Sequence, residues 1–348
     1  MRFSAEKLFS LPMLMYTLRS APCYDSQLLH QYDDSIRSTM QAILNASLSD
    51  DGWRQAKLPV KHGGLGVSSA SDIALPSFLA SVVGSAELSI KLLPSSMSQL
   101  GGTNDAKYNI YINIWQSISK SPIPDASIAA SQKMWSRPLQ VIAAEAVLSA
   151  AQTQASRARL IAAAAPSSGA FLQVIPMSSV GTRLDNTSMR IAVSLRLGAP
   201  LCTPHDCVCG TAVDSSGIHG LSCRKSAGRG ARHSAINSIV KAALTSAEIP
   251  SRLEPRGLAR DDGKRPDGVT SMPWRNGRCL IWDVTCPDTL AVSYLNKAVS
   301  GPGVVATEAE SRKIRKYSTI DNSMYIFQPI AIETLGAFGS GAVEFFSI

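Results

Sequence analysis

The sequence predicts an α+β protein, and three observations carry that reading. Apolar residues recur at helical spacing through most of the first 199 positions. Cysteine and histidine then crowd residues 202 to 223. After position 232 the pattern runs helix, strand, helix, strand, the order of a small α/β domain.

The opening MRFSAEKLFSLPMLMYTLRSAPC imitates a signal peptide. Pro12, Tyr16 and Thr17 interrupt its apolar part, so it reads as a buried helix. Tyr32 to Leu48 carries Ile36, Met40, Ile43, Leu44 and Leu48 at helix period, and Asp50-Asp51-Gly52 is expected to end it. Tyr32-Asp33-Asp34 imitates paired polymerase aspartates but opens a helix with no strand before it, which predicts a structural role. Gly63-Gly64-Leu65-Gly66 lacks the lysine and strand-to-helix context of a phosphate loop and reads as a tight turn. Ser68 to Ile90 resumes as helix, with Ser71 or Asp72 as cap and Pro76 early. It is almost uncharged, which predicts packing on all sides.

Pro94 to Thr103 is a Ser- and Gly-rich break. Ala106 to Ile118 and Ser127 to Ala164 form a second helical block, and Thr187 to Leu197 follows. Arg232 to Glu248 places Ile236, Ile239, Val240, Ala243 and Leu244 on one helical side. Cys279 to Val284 has a strand pattern, Ala306 to Lys316 reads as a charged helix, and Tyr325 to Glu333 is a second strand. The expected segments are a helical region at 1–95, a helical linker at 96–199, a knuckle at 200–232 and the α/β domain at 233–348.

Composition narrows the classes. Apolar residues make up 45%, too many for wholesale disorder. The 34 Lys and Arg against 26 Asp and Glu give a net charge of +8, which permits a nucleic-acid partner without demanding one. Only 17% of residues are charged, which implies surface covered by another segment of chain. No uninterrupted apolar run reaches the length of a membrane span. Four of the seven cysteines lie between Cys202 and Cys223 beside histidines, a spacing that favours metal binding over a secreted disulfide scaffold.

Zinc takes four soft or borderline donors in a tetrahedron, and Cys207, Cys209, His219 and Cys223 supply them. Gly210 lets the chain turn beneath the metal. Cys202 or His205 can stand in for one member. No open coordination position or general base is evident, so a structural role is expected.

The second informative stretch joins Glu254, Arg260-Asp261-Asp262-Gly263-Lys264-Arg265-Pro266-Asp267 and Trp282-Asp283-Val284. Magnesium or manganese takes carboxylate oxygens. Asp283 sits in an apolar strand, where a carboxylate is costly unless paired, hydrogen-bonded or metal-bound. On a plain alternating strand it would instead face solvent. Asp267, Asp283 and an assisting Glu254, read as ending a helical region, form the candidate metal and catalytic set. Lys313 or Lys316 would contact water or phosphate, and Arg224, Lys225, Arg229, Arg232 and His233 are candidate nucleic-acid contacts.

Gly52-Trp53-Arg54-Gln55-Ala56-Lys57-Leu58-Pro59-Val60, Gly63-Gly64-Leu65-Gly66-Val67 and Ala74-Leu75-Pro76-Ser77-Phe78-Leu79-Ala80-Ser81 resemble the region just beyond the polymerase core of non-LTR retrotransposon reverse transcriptase-like proteins. Cys207, Cys209, His219 and Cys223 resemble the CCHC-type zinc knuckle that precedes a restriction-like endonuclease in one branch of these elements, and Arg232-His233 resembles the pair that follows it. Arg265-Pro266-Asp267 with Asp283 resembles that superfamily's two metal-binding acids, and Glu254 its helical acid. Lys313 and Lys316-Tyr317 are similar to a displaced lysine region, since Thr285 stands where the usual motif has lysine. Ile332-Glu333-Thr334-Leu335-Gly336 is similar to a late strand and turn of the same relatives.

The resemblance implies the C-terminal part of a longer polyprotein with the polymerase core absent. Its last domain would be an α/β restriction-endonuclease-like fold, with structural zinc and catalytic magnesium or manganese. The implied activity is metal-dependent nicking of target DNA to prime reverse transcription, without reverse transcriptase activity from this chain. The implied partners are DNA, element RNA and the missing polymerase part, with no membrane, and the implied location is the nucleus. The alternatives are a nucleic-acid-binding fragment or a degenerate remnant without catalysis.

Overall fold

The computed structural model describes residues 11–94, 97, 106–226, 228–255, 258 and 265–347. In chain order the elements begin with α1 (Leu11–Ser20), α2 (Gln27–Leu44), α3 (Asp50–Lys57), α4 (Ala70–Leu92), α5 (Ala106–Ser119), α6 (Gln132–Ser149), α7 (Gln154–Ala163) and α8 (Asn186–Leu197). They continue with β1 (His205–Asp206), β2 (Ala212–Val213), α9 (His219–Ser222), α10 (Gly228–Ser246), β3 (Ser251–Leu253), β4 (Gly268–Thr270) and β5 (Cys279–Thr285). The last are α11 (Leu295–Ala298), α12 (Val304–Lys316), β6 (Tyr325–Ala331) and α13 (Ser340–Phe346). The architecture is α+β: mainly helical first, then a small Cys/His cluster, then a mixed sheet with helices. Two compact units result, one from Met1–Ala150 with Leu184–Ala199, the other from Ala151–Arg183 with Pro200–Ile348. Residues 96–199 contribute to both.

The first unit corrects several local expectations. Asp50-Asp51 starts a helix rather than ending one. The Ser49 hydroxyl accepts from the Gly52 N–H at 3.1 Å, and two acids in the first turn complement the exposed N–H groups. The preceding helix ends earlier, at Leu44, with Asn45 left-handed at φ 49°. The cap of α4 is Ser69, not Ser71 or Asp72, and Pro76 lies inside the helix. Asp33, buried on α2, accepts from the Ala70 N–H at 2.7 Å, the Ser71 N–H at 3.2 Å and the Ser69 hydroxyl at 2.7 Å. It therefore caps α4, a structural role. The block expected over 127–164 is two helices, α6 and α7, with Thr153 capping the second by accepting from the Ser156 N–H at 3.0 Å.

One helix among the described residues, Ala70–Leu92, is long and apolar enough by length and composition to cross a membrane, although Asp72, Glu87 and Lys91 interrupt its apolar run. Its first half is packed in the unit's core, where Leu75, Leu79 and Ala80 meet Tyr108, Ile112, Trp115 and Trp135. Its last turns expose Leu88, Ile90 and Leu92, so it is not covered on all sides. Trp115 and Trp135 meet edge to face at 5.0 Å, and each indole N–H donates to a backbone carbonyl. In the glycine turn, a Cβ on Gly64 would lie 2.0 Å from the Leu58 carbonyl oxygen. Buried Arg196 holds that turn by donating to the Gly64 carbonyl at 3.0 Å and the Val60 carbonyl at 2.9 Å. Burial pulls its guanidinium down to about 10.

In the second unit the sheet order is β3-β4-β5-β6, antiparallel except for the parallel pair β5-β6. β5 is buried on both faces, as strands covered on both sides are. Leu280, Trp282 and Val284 pack with Val240 and Leu244 of α10 and with Ala342 and Phe345 of α13. Gly268 is required opposite Trp282, because a Cβ there would stand 2.0 Å from the ring. Buried Glu310 of α12 accepts from the backbone N–H groups of Ala331 at 3.1 Å, Gly341 at 2.9 Å and Ala342 at 3.0 Å. It thus ties three elements together. Separately, Ala158 of α7 packs with Leu290, Ala298 and Val305. Ile332 to Gly336 forms a turn in which Gly336 has φ +86° and its N–H donates to the Glu333 carbonyl at 2.8 Å.

Candidate functional site

β1 and β2 form a short antiparallel hairpin, and Gly210 at φ +88° makes the turn between them. The hairpin presents Cys207 and Cys209, while α9 begins with His219 and stops at Cys223. The four donor atoms all lie within 4.8 Å of one another. Cys207 Sγ stands 3.7 Å from Cys223 Sγ, and Cys209 Sγ 3.2 Å from His219 Nε2. Two sulfurs each about 2.3 Å from a tetrahedral zinc stand about 3.8 Å apart, so the sulfur pair fits the ion. This is a compact cluster of three cysteines and one histidine capable of holding a metal, with the donor set of a structural zinc site. The Thr211 hydroxyl and N–H at Cys209 pull its thiol down to about 6, favouring the thiolate that ligates. Cys202 and His205 stand outside the set. Cys202 Sγ donates to the Asp214 carbonyl at 3.4 Å, and exposed His205 turns Nδ1 to the Thr203 carbonyl at 2.9 Å. Among the described residues no other group of three His, Cys, Asp or Glu side chains gathers at such range.

Asp267 lies just before β4 and Asp283 in the middle of β5. Asp283 is 2% exposed, so it does not face solvent. Lys313 of α12 bonds its Oδ1, and Lys316 stands 3.5 Å from its Oδ2. Asp267 Oδ2 pairs with His233 Nε2 at 3.0 Å and accepts from the Val284 N–H at 2.6 Å. Burial alone would raise the Asp267 carboxyl; His233 and the Val284 N–H outweigh it and hold it below the usual value. The same bond raises His233, against burial and Lys313. Glu254 follows a strand rather than a helix, and its exposed carboxylate is engaged by Arg265. Arg260-Asp261-Asp262-Gly263-Lys264 lies outside the described residues. Asp267 and Asp283 have the oxygen chemistry of a hard divalent ion. In this arrangement protein cations already neutralise Asp283, so the pair fits such an ion only once Lys313 is displaced.

A cleft of about 470 Å³ opens at the C-terminal end of β5, lined by Arg224, Ser226, Arg229, Gly230, Arg232, His233, Val284, Thr285, Cys286 and Lys313. Of the sequence-derived basic set, Arg224, Arg229, Arg232 and His233 meet here. Lys225 instead reaches back to the Val208 carbonyl at 3.3 Å. Arg232 donates through Nη2 to the Leu221 carbonyl, while its buried Nη1 has no hydrogen-bond partner. Such a cleft attracts anions.

Sequence reasoning misses Asn237, which joins the site to the core. Trp282 Nε1 donates to its Oδ1 at 3.0 Å, and its Nδ2 lies 3.4 Å from His233 Nδ1. Its position four residues after His233 on one helix is the available signal. Cys286 escapes it as well; this residue lines the cleft, and burial pushes its thiol up.

No protein-family model matches the chain, and no curated protein sequence matches it. Fold and site together define an α+β protein with a compact metal-binding cluster of three cysteines and one histidine.

Proposed function

We propose that the second unit is a restriction-endonuclease-like domain of retrotransposon ancestry that binds DNA and hydrolyses a phosphodiester in a divalent-metal-dependent way. The cysteine–histidine cluster holds structural zinc and orders the chain ahead of α10. Arg224, Arg229 and Arg232 bind backbone phosphate, and Asp267 and Asp283 serve the chemistry, with Lys313 and Lys316 beside them. Glu254 is left to an electrostatic role with Arg265. The observation that carries this reading is Asp283, a carboxylate 2% exposed in a central strand, approached by two lysines next to a cleft lined by arginines. Structural economy alone does not place a charge there, since burying it costs on the order of several kcal/mol before its partners offset it. Such placements cluster at functional sites.

The test is nicking of supercoiled plasmid by the zinc-loaded chain with magnesium or manganese. Wild type is expected to nick, and Asp283→Asn to lose the activity by orders of magnitude. Equal nicking by both proteins eliminates the assignment. A second reading, DNA or element-RNA binding without hydrolysis, is favoured by the lysines that hold Asp283 in this arrangement. Salt-sensitive binding with no nicking by either protein would select it.

A further inference from the structure

We propose that Lys313 gates Asp283: a backbone phosphate entering the arginine cleft draws the Lys313 ammonium away, and only then does Asp283 accept a divalent cation. The inference rests on the nuclease reading above and adds the order in which its parts engage.

The two lysines beside Asp283 differ. Lys316 is anchored: its ammonium donates to the Tyr317 hydroxyl at 2.8 Å and lies 4.3 Å from that ring's centre. The Tyr317 hydroxyl in turn donates to the Arg265 carbonyl at 2.8 Å. Lys313 bonds Asp283 and also lines the cleft, with its side chain 22% exposed. A lysine is a point charge on a flexible stem, so turning from one oxygen anion to another needs only rotamer changes. Its second anion would be a phosphate among Arg224, Arg229 and Arg232, and the unpartnered Arg232 Nη1 is a donor left for it.

Electrostatics drives the exchange. Asp283 is too buried to stand uncompensated, so once phosphate draws Lys313 away the carboxylate, left with Lys316 at 3.5 Å, has charge for a divalent cation to take up. Without phosphate, a divalent ion must approach a region that already holds Lys313, Lys316 and three arginines. With phosphate bound, that repulsion is offset. Phosphate and metal therefore bind with positive coupling, and linkage makes the coupling reciprocal.

The experiment titrates Mn2+ into the full zinc-loaded chain, following free Mn2+ by electron paramagnetic resonance, with and without a saturating short DNA duplex. Asp283→Asn with the same duplex supplies the Mn2+ held by the DNA itself. The duplex is expected to tighten wild-type Mn2+ binding about tenfold or more. Lys313→Met, and Lys313→Gln as a second variant, are expected to bind Mn2+ without duplex more tightly than wild type does, and to gain less from the duplex. Zinc content and melting temperature establish that each variant is folded. The wild-type comparison needs no substitution. Duplex binding with unchanged Mn2+ affinity overturns the gating alone. Unchanged duplex-free affinity in folded Lys313 variants does the same. Failure of the duplex to bind overturns the nuclease reading, and the gating with it.

Discussion

The indole Nε1 of Trp282 donates to Oδ1 of Asn237 at 3.0 Å, and that bond decides how the Asn237 amide is turned. An indole N–H only donates, so the amide must face it with oxygen and present nitrogen to His233. A fully buried core residue thereby orients the group that holds Asp267. Replacing Asn237 by Leu leaves a buried N–H without an acceptor. The expected loss is about 1–3 kcal/mol in denaturant unfolding. An unchanged midpoint would mean that water or another carbonyl replaces the amide.

The cluster of Cys207, Cys209, His219 and Cys223 is expected to hold one zinc per chain by elemental analysis. Cys223→Ala should lose it, while Cys202→Ala and His205→Ala should retain it, because neither side chain joins the set. Zinc loss from either of the latter would redraw the site.

The His233–Asp267 pair gives a pH signature. His233 is raised by Asp267, so its contribution to stability is complete below about pH 6.5 and fades as pH rises through the raised value. Asp267 is lowered, so its contribution is complete above about pH 4 and fades as pH falls through the lowered value. The stability difference between wild type and His233→Gln should therefore be largest between those limits and shrink above neutral pH. A difference that stays constant from pH 6 to pH 9 (roughly the range spanning that loss) would contradict the pairing.

On the proposed function, the logarithm of nucleic-acid affinity should fall linearly with the logarithm of salt concentration. Arg224→Gln and Arg229→Gln should each flatten the slope by about 0.9 for every duplex phosphate left unneutralised. Lys225→Gln should change it less, since Lys225 turns to the Val208 carbonyl. Equal slopes for all three variants and wild type would remove the cleft from the binding surface.

Asp33→Ala should destabilise the first unit by about 1–2 kcal/mol, since it strips the carboxylate that caps α4. Chemical denaturation with hydrogen exchange at Ala70 and Ser71 would locate the loss. Unaltered protection there would show that Ser69 suffices as a cap.

How legible the molecule is in its sequence depends on the range of the interactions. The helix carrying Val240 and Leu244, the strand through Trp282 and the metal donors are readable, because each rests on spacing within a few turns or one hairpin. Asp50-Asp51 misleads because an acidic pair reads as a stop until Ser49 is seen as the cap. Asp33 reads correctly as structural, but its partner helix begins 37 residues later, beyond any local pattern. The bond from Trp282 to Asn237 spans 45 residues and two elements, so no periodicity announces it. Glu254 reads as helical because the short strand β3 has too few residues to display alternation.

The one parallel pairing among the described residues, β5 with β6, obliges the chain to make a long excursion through α11 and α12 before the ladder can close. Closing such a loop costs entropy before its contacts offset it, so this pairing is expected among the slower steps of folding. The excursion carries Lys313 and Lys316 with it. Asp283 is thus expected to lose its water and gain its counter-charges in one event, without a naked anion to shelter on the way to the native state. Pulse-labelled hydrogen exchange should find the Asp283 amide protected together with those of β6; much earlier protection would separate the two events.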